Sequence, residues 1–234
     1  MITVSIVSHG QSALVAGLLA DIARLDRRDL KVVVTLNIPE DAPATSGLDI
    51  TWIRNARRLG FGANHNQALR GSRDEYFCIL NPDVRLPADP FPALVEALGS
   101  AGVALAAPRV MSTAGEVENS ARRFPTFFSL AAKVLGGAAA LDYPDGDGAI
   151  SPDWTAGMFM LVRREAYEAV GGFDERYFLY YEDVDLCRRL RRKGFDIRLV
   201  QGARIVHDAR RSSHRSLRYL RWHLASVARY LLSR

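Results

Sequence analysis

The chain opens on an almost unbroken β-branched and apolar run, Ile-Thr-Val-Ser-Ile-Val-Ser at Ile2–Ser8, which predicts a buried strand. His9-Gly10 turns the chain. Over residues 12–25, Leu14, Leu18, Ile22 and Leu25 recur at helical spacing and predict a helix. Residues 31–36 and 50–53 predict two more strands and 63–70 a short helix. Tyr76–Leu80 predicts a fourth strand that ends in Asn81-Pro82-Asp83. A helix over 92–98 and a fifth strand over 103–107 follow. Strands alternating with helices imply βαβ units, hence an α/β protein with a mainly parallel sheet.

The middle is less regular. Residues 109–119 suggest a hairpin or excursion, and 124–140 a loop with a short helix. Residues 142–148, Asp-Tyr-Pro-Asp-Gly-Asp-Gly, read as a turn-rich mobile loop. Regular pattern returns as a strand over 155–162 and a short helix over 165–170, ended by Gly171-Gly172. A helix over 184–193 is stopped by Gly194, and strands follow over 197–200 and 203–206. Leu217–Leu232 predicts an amphipathic helix with Leu217, Leu220, Leu224, Val227 and Leu231 on one face and Arg218, Arg221 and Arg229 opposite. Two placements fit it. Either the Leu/Val face packs on the sheet, or Tyr219, Trp222, Tyr230 and the arginines meet an anionic membrane.

Composition narrows the class. At 234 residues, 48% apolar and 24% charged, the chain is long enough for one large domain; disorder, collagen-like repeats and a disulfide scaffold are excluded. The net charge of +5 is unevenly spread: residues 1–162 hold 14 basic and 17 acidic side chains, residues 163–234 hold 17 and 9. Nucleic acid, anionic lipid and phosphorylated substrates all suit the basic part. Cys78 and Cys187 lack metal-ligand spacing and read as reduced core thiols of a cytosolic protein. Residues 130–141, the longest weakly polar stretch, are interrupted by Lys133 and Gly136-Gly137 and too short to span a bilayer.

Several segments can carry chemistry. Asp83 closes a buried strand, where open α/β sheets bind ligands, and could hold Mg²⁺ or Mn²⁺ on a diphosphate; Asn-Pro-Asp is equally a good turn. Glu182, Asp183 and Asp185 follow the aromatic run Tyr177-Phe178-Leu179-Tyr180-Tyr181. Asp183 could cap a helix, or, with basicity raised by desolvation and like charges, act as a general base. Gly60-Phe61-Gly62 lacks the third glycine of a dinucleotide fingerprint, though such a turn can sit near a phosphate or sugar. His207 is a structural histidine or a metal ligand paired with Asp83. Arg210 and Arg211, just beyond, suit a diphosphate bidentately.

In order along the chain, these segments resemble the inverting family 2 glycosyltransferases, in their rhamnosyltransferase-like branch. The resemblance rests on Val4-Ser5-Ile6-Val7-Ser8-His9, Gly60-Phe61-Gly62-Ala63 with Asn66, and Leu80-Asn81-Pro82-Asp83. It continues through Ala156–Arg164, Gly171-Gly172-Phe173-Asp174-Glu175, the stretch 178–186 and His207. It implies a GT-A fold with a nucleotide-binding half (1–108), an acceptor half (109–215) and a C-terminal helix (216–234).

The resemblance also implies roles. Asp183 would be the catalytic base with Glu182 beside it, and Asp83 with His207 would hold the divalent metal. Ser8, His9, Gly10, Asn37, Glu40, Gly62, Asn66, Asn81, Arg210 and Arg211 would bind the nucleotide. Trp154, Gly157 and Tyr181 would border the acceptor. The donor would be a nucleotide-diphosphate sugar, dTDP-rhamnose first and UDP-sugars next; the acceptor would be a glycan or a lipid-linked glycan. Leu36 stands where the family usually has Asp, so Glu40 or Asp41 would substitute in base or ribose recognition. Asn81 takes the first carboxylate position of the metal motif. The implied location is cytoplasmic, with peripheral membrane contact through 217–234.

Three other readings are weaker. A nucleotidyltransferase would need a Gly-rich loop with a Lys near the first strand. A nucleic-acid binder would need a reader motif or stacking platform, so nucleic acid is not expected as a partner. A non-catalytic relative is favoured only by Leu36.

Overall fold

The computed structural model describes residues 1–45, 47–129, 141–207 and 217–233. Its first half contains β1 (Ile2–Ser8), α1 (Ser12–Arg24), β2 (Leu30–Leu36), β3 (Ile50–Arg54), α2 (Phe61–Arg70), β4 (Tyr76–Leu80), β5 (Val84–Arg85), α3 (Phe91–Leu98) and β6 (Val103–Ser112). Then come β7 (Ala121–Arg122), β8 (Ala149–Ile150), β9 (Trp154–Thr155), β10 (Phe159–Arg163), α4 (Arg164–Ala169), α5 (Glu182–Arg192), β11 (Asp196–His207) and α6 (Leu217–Leu232).

The main sheet runs β3-β2-β1-β4-β10-β6-β11-β5, with β8 beside β11. Strands β1 to β4 are mutually parallel, as are β6 and β11, whereas β10 runs antiparallel to β4 and β6. Period-2 alternation sorts the central strands into two layers. Tyr76, Cys78, Leu80, Phe159 and Leu161 face α1 and α3 through Leu18, Ile22, Phe91 and Leu94. Phe77, Ile79, Met160 and Val162 face the layer of Tyr167, Phe173, Leu186 and Leu190 from α4, α5 and the loop between them. Both cysteines are buried free thiols.

The structure departs from the sequence pattern in several places, the unexpected two-residue strands β5, β7 and β8 among them. The strand at 103–107 continues to Ser112, and a turn returns the chain so that Glu118 N–H bonds the Val110 carbonyl at 2.9 Å. The two expected strands at 197–206 are one strand, with a register shift between Val200 and Arg204. The expected strand at 155–162 is cut by Ala156–Met158 into β9 and β10. The 142–148 loop is pinned rather than free: Asp145 sits 3.3 Å from Arg109 and 3.2 Å from Arg204, and Arg109 also donates to the Pro144 carbonyl. Arg109 is buried, so its charge needs that loop as a partner. Residues 130–140 of the loop expected at 124–140 lie outside the described residues.

Helix α6 inverts both sequence-based placements. Its aromatic face is inside: Trp222 stacks 4.6 Å from Phe178, Tyr230 lies 5.4 Å from Tyr181, and Ser226 Oγ donates to the Leu179 carbonyl at 2.9 Å. Leu220, Leu224 and Leu231 face outward. The physical reason is the surface the helix meets. The 177–181 loop offers ring faces and a carbonyl, which rings and a hydroxyl match and leucines do not.

Candidate functional site

Strand pairing builds the first corner of the site. Asn81-Pro82-Asp83 leaves the end of β4 and turns into β5, whose Val84 lies opposite His207 at the end of β11. That register sets His207 Nε2 3.4 Å from Asp83 Oδ2. The turn after β6 brings Glu118 Oε2 to His207 Nδ1 at 2.9 Å. Burial alone would lower the His207 pKa, but hydrogen bonds and charge from Asp83 and Glu118 outweigh it and raise it to about 9. Carboxylates at both ring nitrogens require both to donate, as in the imidazolium.

Asp83 Oδ1 is buried without a hydrogen-bond partner among the described residues. A hard cation fits such an oxygen, and it would gain His207 Nε2 as a ligand only by displacing the imidazolium proton. No group of three or more His, Cys, Asp or Glu side chains suited to a metal occurs among the described residues. A cation held by Asp83 and His207 would therefore take further ligands from substrate oxygens and water, the usual habit of Mg²⁺.

Beside this corner lies a cavity of about 510 Å³. Its walls include Asn81 and Asp83, His9-Gly10-Gln11 at the start of α1, Asn37, Arg58, Phe61, Phe178 and Tyr219. The first turn of α1 carries no acidic side chain of its own, and its N-terminal end faces the cavity with the Glu40 carboxylate beside it at Gly10. Gly10 takes φ of 72° to make this turn, which favours glycine. The Arg58 guanidinium lies over the rings of Trp222 at 4.9 Å and Phe178 at 5.4 Å. Burial chiefly, and then the Arg58 charge, lower the His9 pKa, with Glu40 opposing.

The second corner sits at the N-terminus of α5. Asp183 is half-buried; its Oδ2 accepts from the Gly157 N–H at 3.0 Å and its Oδ1 from the Val184 N–H at 2.8 Å. Burial raises the Asp183 pKa above the ordinary aspartate value, while these N–H groups and the Arg122 charge oppose it. Glu182 is buried with Oε2 unpartnered among the described residues, and burial together with the Asp183 charge pushes its pKa well up. Asp185 instead pairs with Arg188 at 3.2 Å and Arg189 at 2.7 Å. Of three adjacent carboxylates, only Asp183 combines partial exposure with a raised pKa. The turn into α5 is strained: Tyr180 and Tyr181 have φ of 71° and 69°, each costing roughly 1–2 kcal/mol.

Gly157 connects this corner to the cavity. A Cβ there would lie 3.4 Å from the Phe61 ring and 3.6 Å from Asp183 Cβ. Asp183 thus stands just behind the Phe61 wall. Trp154 packs nearby with Nε1 donating to the Arg123 carbonyl at 2.9 Å, and β9 pairs Trp154 with Arg122.

Other residues named from sequence sit elsewhere or are occupied. Gly62 and Asn66 do not line the cavity. A Cβ on Gly62 would be 2.5 Å from Phe173 Cβ, and the Asn66 amide bonds Phe173, Tyr167 and Glu175, so both serve packing of α2. Glu40 holds the first loop, accepting from Ser8 Oγ at 2.8 Å and Gly10 N–H at 2.9 Å. Ser8 is buried in this bond, not open to the cavity. Asn37 lines the wall but pins Leu59 through both its oxygen and its amide. Arg210 and Arg211 lie outside the described residues. Arg58, Arg122 and Glu118 were missed. The run Arg54-Asn55-Ala56-Arg57-Arg58 before Gly60 was the available signal for Arg58; nothing local marks the other two.

Known proteins resemble this chain in sequence and in fold. The rhamnosyltransferase WbbL of Escherichia coli is 29% identical over 99% of this chain and 92% of its own length. An N-acetylglucosaminyl-diphospho-decaprenol L-rhamnosyltransferase of Mycobacterium tuberculosis is 33% identical over 61% of this chain, which matches only 50% of that enzyme. Among solved structures, a Pyrobaculum calidifontis mannosyltransferase in complex with GDP-Man and Mn²⁺ superposes with a TM-score of 0.64 at 20% identity. The match covers 97% of this chain and 64% of that one. GalNAc-T7 with UDP, GalNAc and Mn²⁺ gives 0.69 at 15% identity, over 91% and 44%. These neighbours show a GT-A fold. The pattern of the glycosyltransferase-like family 2 matches residues 2–225, and the chain belongs to that family of glycosyltransferases.

Proposed function

We propose that this glycosyltransferase transfers a sugar, with rhamnose first in line, from a dTDP- or UDP-linked donor to a hydroxyl of a glycan or lipid-linked glycan, inverting the anomeric centre. The observation that carries the mechanism is Asp183, a half-exposed carboxylate with raised pKa standing behind the cavity wall. The donor sugar follows the names of the two rhamnosyltransferases, and the lipid-linked acceptor follows the mycobacterial one.

The nucleotide-diphosphate would occupy the cavity, with its phosphates toward the α1 N-terminus and Asp83. Asp83 and His207 would hold Mg²⁺ or Mn²⁺, which when bound neutralises charge on the diphosphate. Asp183 accepts the proton of the acceptor hydroxyl as that oxygen bonds to the anomeric carbon. The bond from that carbon to the diphosphate oxygen breaks, and its electron pair leaves with the nucleotide. The Gly157 and Val184 N–H groups keep the carboxylate oriented through the transfer. One displacement needs one base and no enzyme nucleophile.

Asp183→Asn is expected to keep nucleotide-induced thermal stabilisation while transfer falls by about 10²–10⁴-fold. Wild-type turnover in that variant would remove Asp183 from the role. Wild-type kcat/KM should fall as pH drops through the raised carboxyl pKa, because only the carboxylate accepts the proton. Asp83→Ala should abolish the Mn²⁺-dependent part of nucleotide stabilisation. A panel of nucleotide sugars in the same assay identifies the donor.

A further inference from the structure

We propose that the outward face of α6 docks on an anionic lipid bilayer. Leu220 is 53% exposed, Leu224 58%, Leu231 36% and Leu232 83%. Leu220, Leu224 and Leu231 are spaced to fall on one stripe of the helix. The stripe is not a core face left unpaired by accident. The opposite side of α6 is already seated through Trp222, Ser226 and Tyr230. The helix has therefore turned its rings inward and its leucines out.

Charge selects the occupant. Arg221 is exposed beside the stripe, and α6 from Leu217 to Leu232 carries no acidic side chain. A second copy pairing through the same face would set Arg221 against its counterpart with no acidic side chain of α6 to answer it, which disfavours association. Anionic headgroups answer it, and leucines at that depth enter the acyl boundary. No described helix is long and apolar enough to cross a membrane, so the contact is one of lying on the surface. Tyr219 of α6 lines the cavity. Docking would hold that wall about one helix diameter, ~10 Å, from the lipid.

Vesicle binding needs no sugar nucleotide, so this proposal fails or stands separately from the transferase reading. The full chain should float in a sucrose gradient with phosphatidylcholine–phosphatidylglycerol vesicles at low salt and stay down with phosphatidylcholine alone. Leu220→Ser/Leu224→Ser/Leu231→Ser should lower vesicle affinity roughly tenfold or more while thermal melting is retained, since all three side chains are exposed. Arg221→Glu should weaken the preference for anionic vesicles. Absence of flotation with anionic vesicles would overturn the proposal, as would a triple variant that floats like wild type. A leucine-dependent dimer in sedimentation without lipid binding would assign the face to a second copy instead.

Discussion

Glu118, His207 and Asp83 form a line of charges in which a proton sits on the imidazole at neutral pH. A histidine whose pKa rises on folding contributes stability that is fully present below its unfolded value, near 6.5. That stability is lost as pH climbs through about 9. Glu118→Gln removes part of the cause. In chelator, the variant should be less stable than wild type at pH 6 by roughly 1 kcal/mol, and the gap should close above about pH 9. Thermal melts across that range would show it, and a pH-independent gap would mean that Glu118 acts by packing alone. The Asp83–His207 pairing was legible as a possibility, because both residues close strands. Glu118 was not, because its approach depends on where the turn after β6 lands.

Glycine positions separate what a motif suggests from what an element needs. Gly60-Phe61-Gly62 reads as a phosphate-proximal turn, yet both glycines let α2 press on a loop distant in sequence. A Cβ on Gly60 would lie 2.8 Å from the Phe178 carbonyl oxygen and 3.0 Å from Phe178 Cα. Backbone cannot swing aside as a side chain can, so Gly60→Ala should cost about 1–3 kcal/mol in urea unfolding. A smaller loss would mean that the 178 loop yields. The longer strands and the six described helices were legible because burial writes period 2 and period 3.6 into the chain, whereas the two-residue strands β5, β7 and β8 are too short to carry a period. The facing of α6 was not legible. Its leucine stripe carries the stronger periodic signal, and only the ring-bearing loop it meets decides which side turns inward. The split of 155–162 into β9 and β10 was likewise hidden, because Ala156–Met158 is as apolar as a strand; the structure uses its irregular backbone to present the Gly157 N–H to Asp183.

The division at residue 108 is not a seam in the structure, since β10 from the second part lies between β4 and β6 of the first. One main sheet with a layer on each face, and the small β7-β9 pair packed against α5, should unfold as one unit. Far-UV circular dichroism and tryptophan fluorescence are expected to share a single urea midpoint, with Trp52 on β3 and Trp154 on β9 reporting together. Separate midpoints would reveal two units. The reversal of β10 has one more consequence. Phe159 lies opposite Leu80, and the Asn81 N–H bonds the Met158 carbonyl at 2.9 Å. The loop bearing Asp83 and the loop gripping Asp183 thus leave neighbouring strand ends, held about 4.8 Å apart by the ladder. In the proposed reaction, leaving group and base would be gauged against each other by the sheet rather than by a hinge. Peripheral loops can be rewritten for another nucleotide, sugar or acceptor while that gauge, and with it the line of attack, stays fixed.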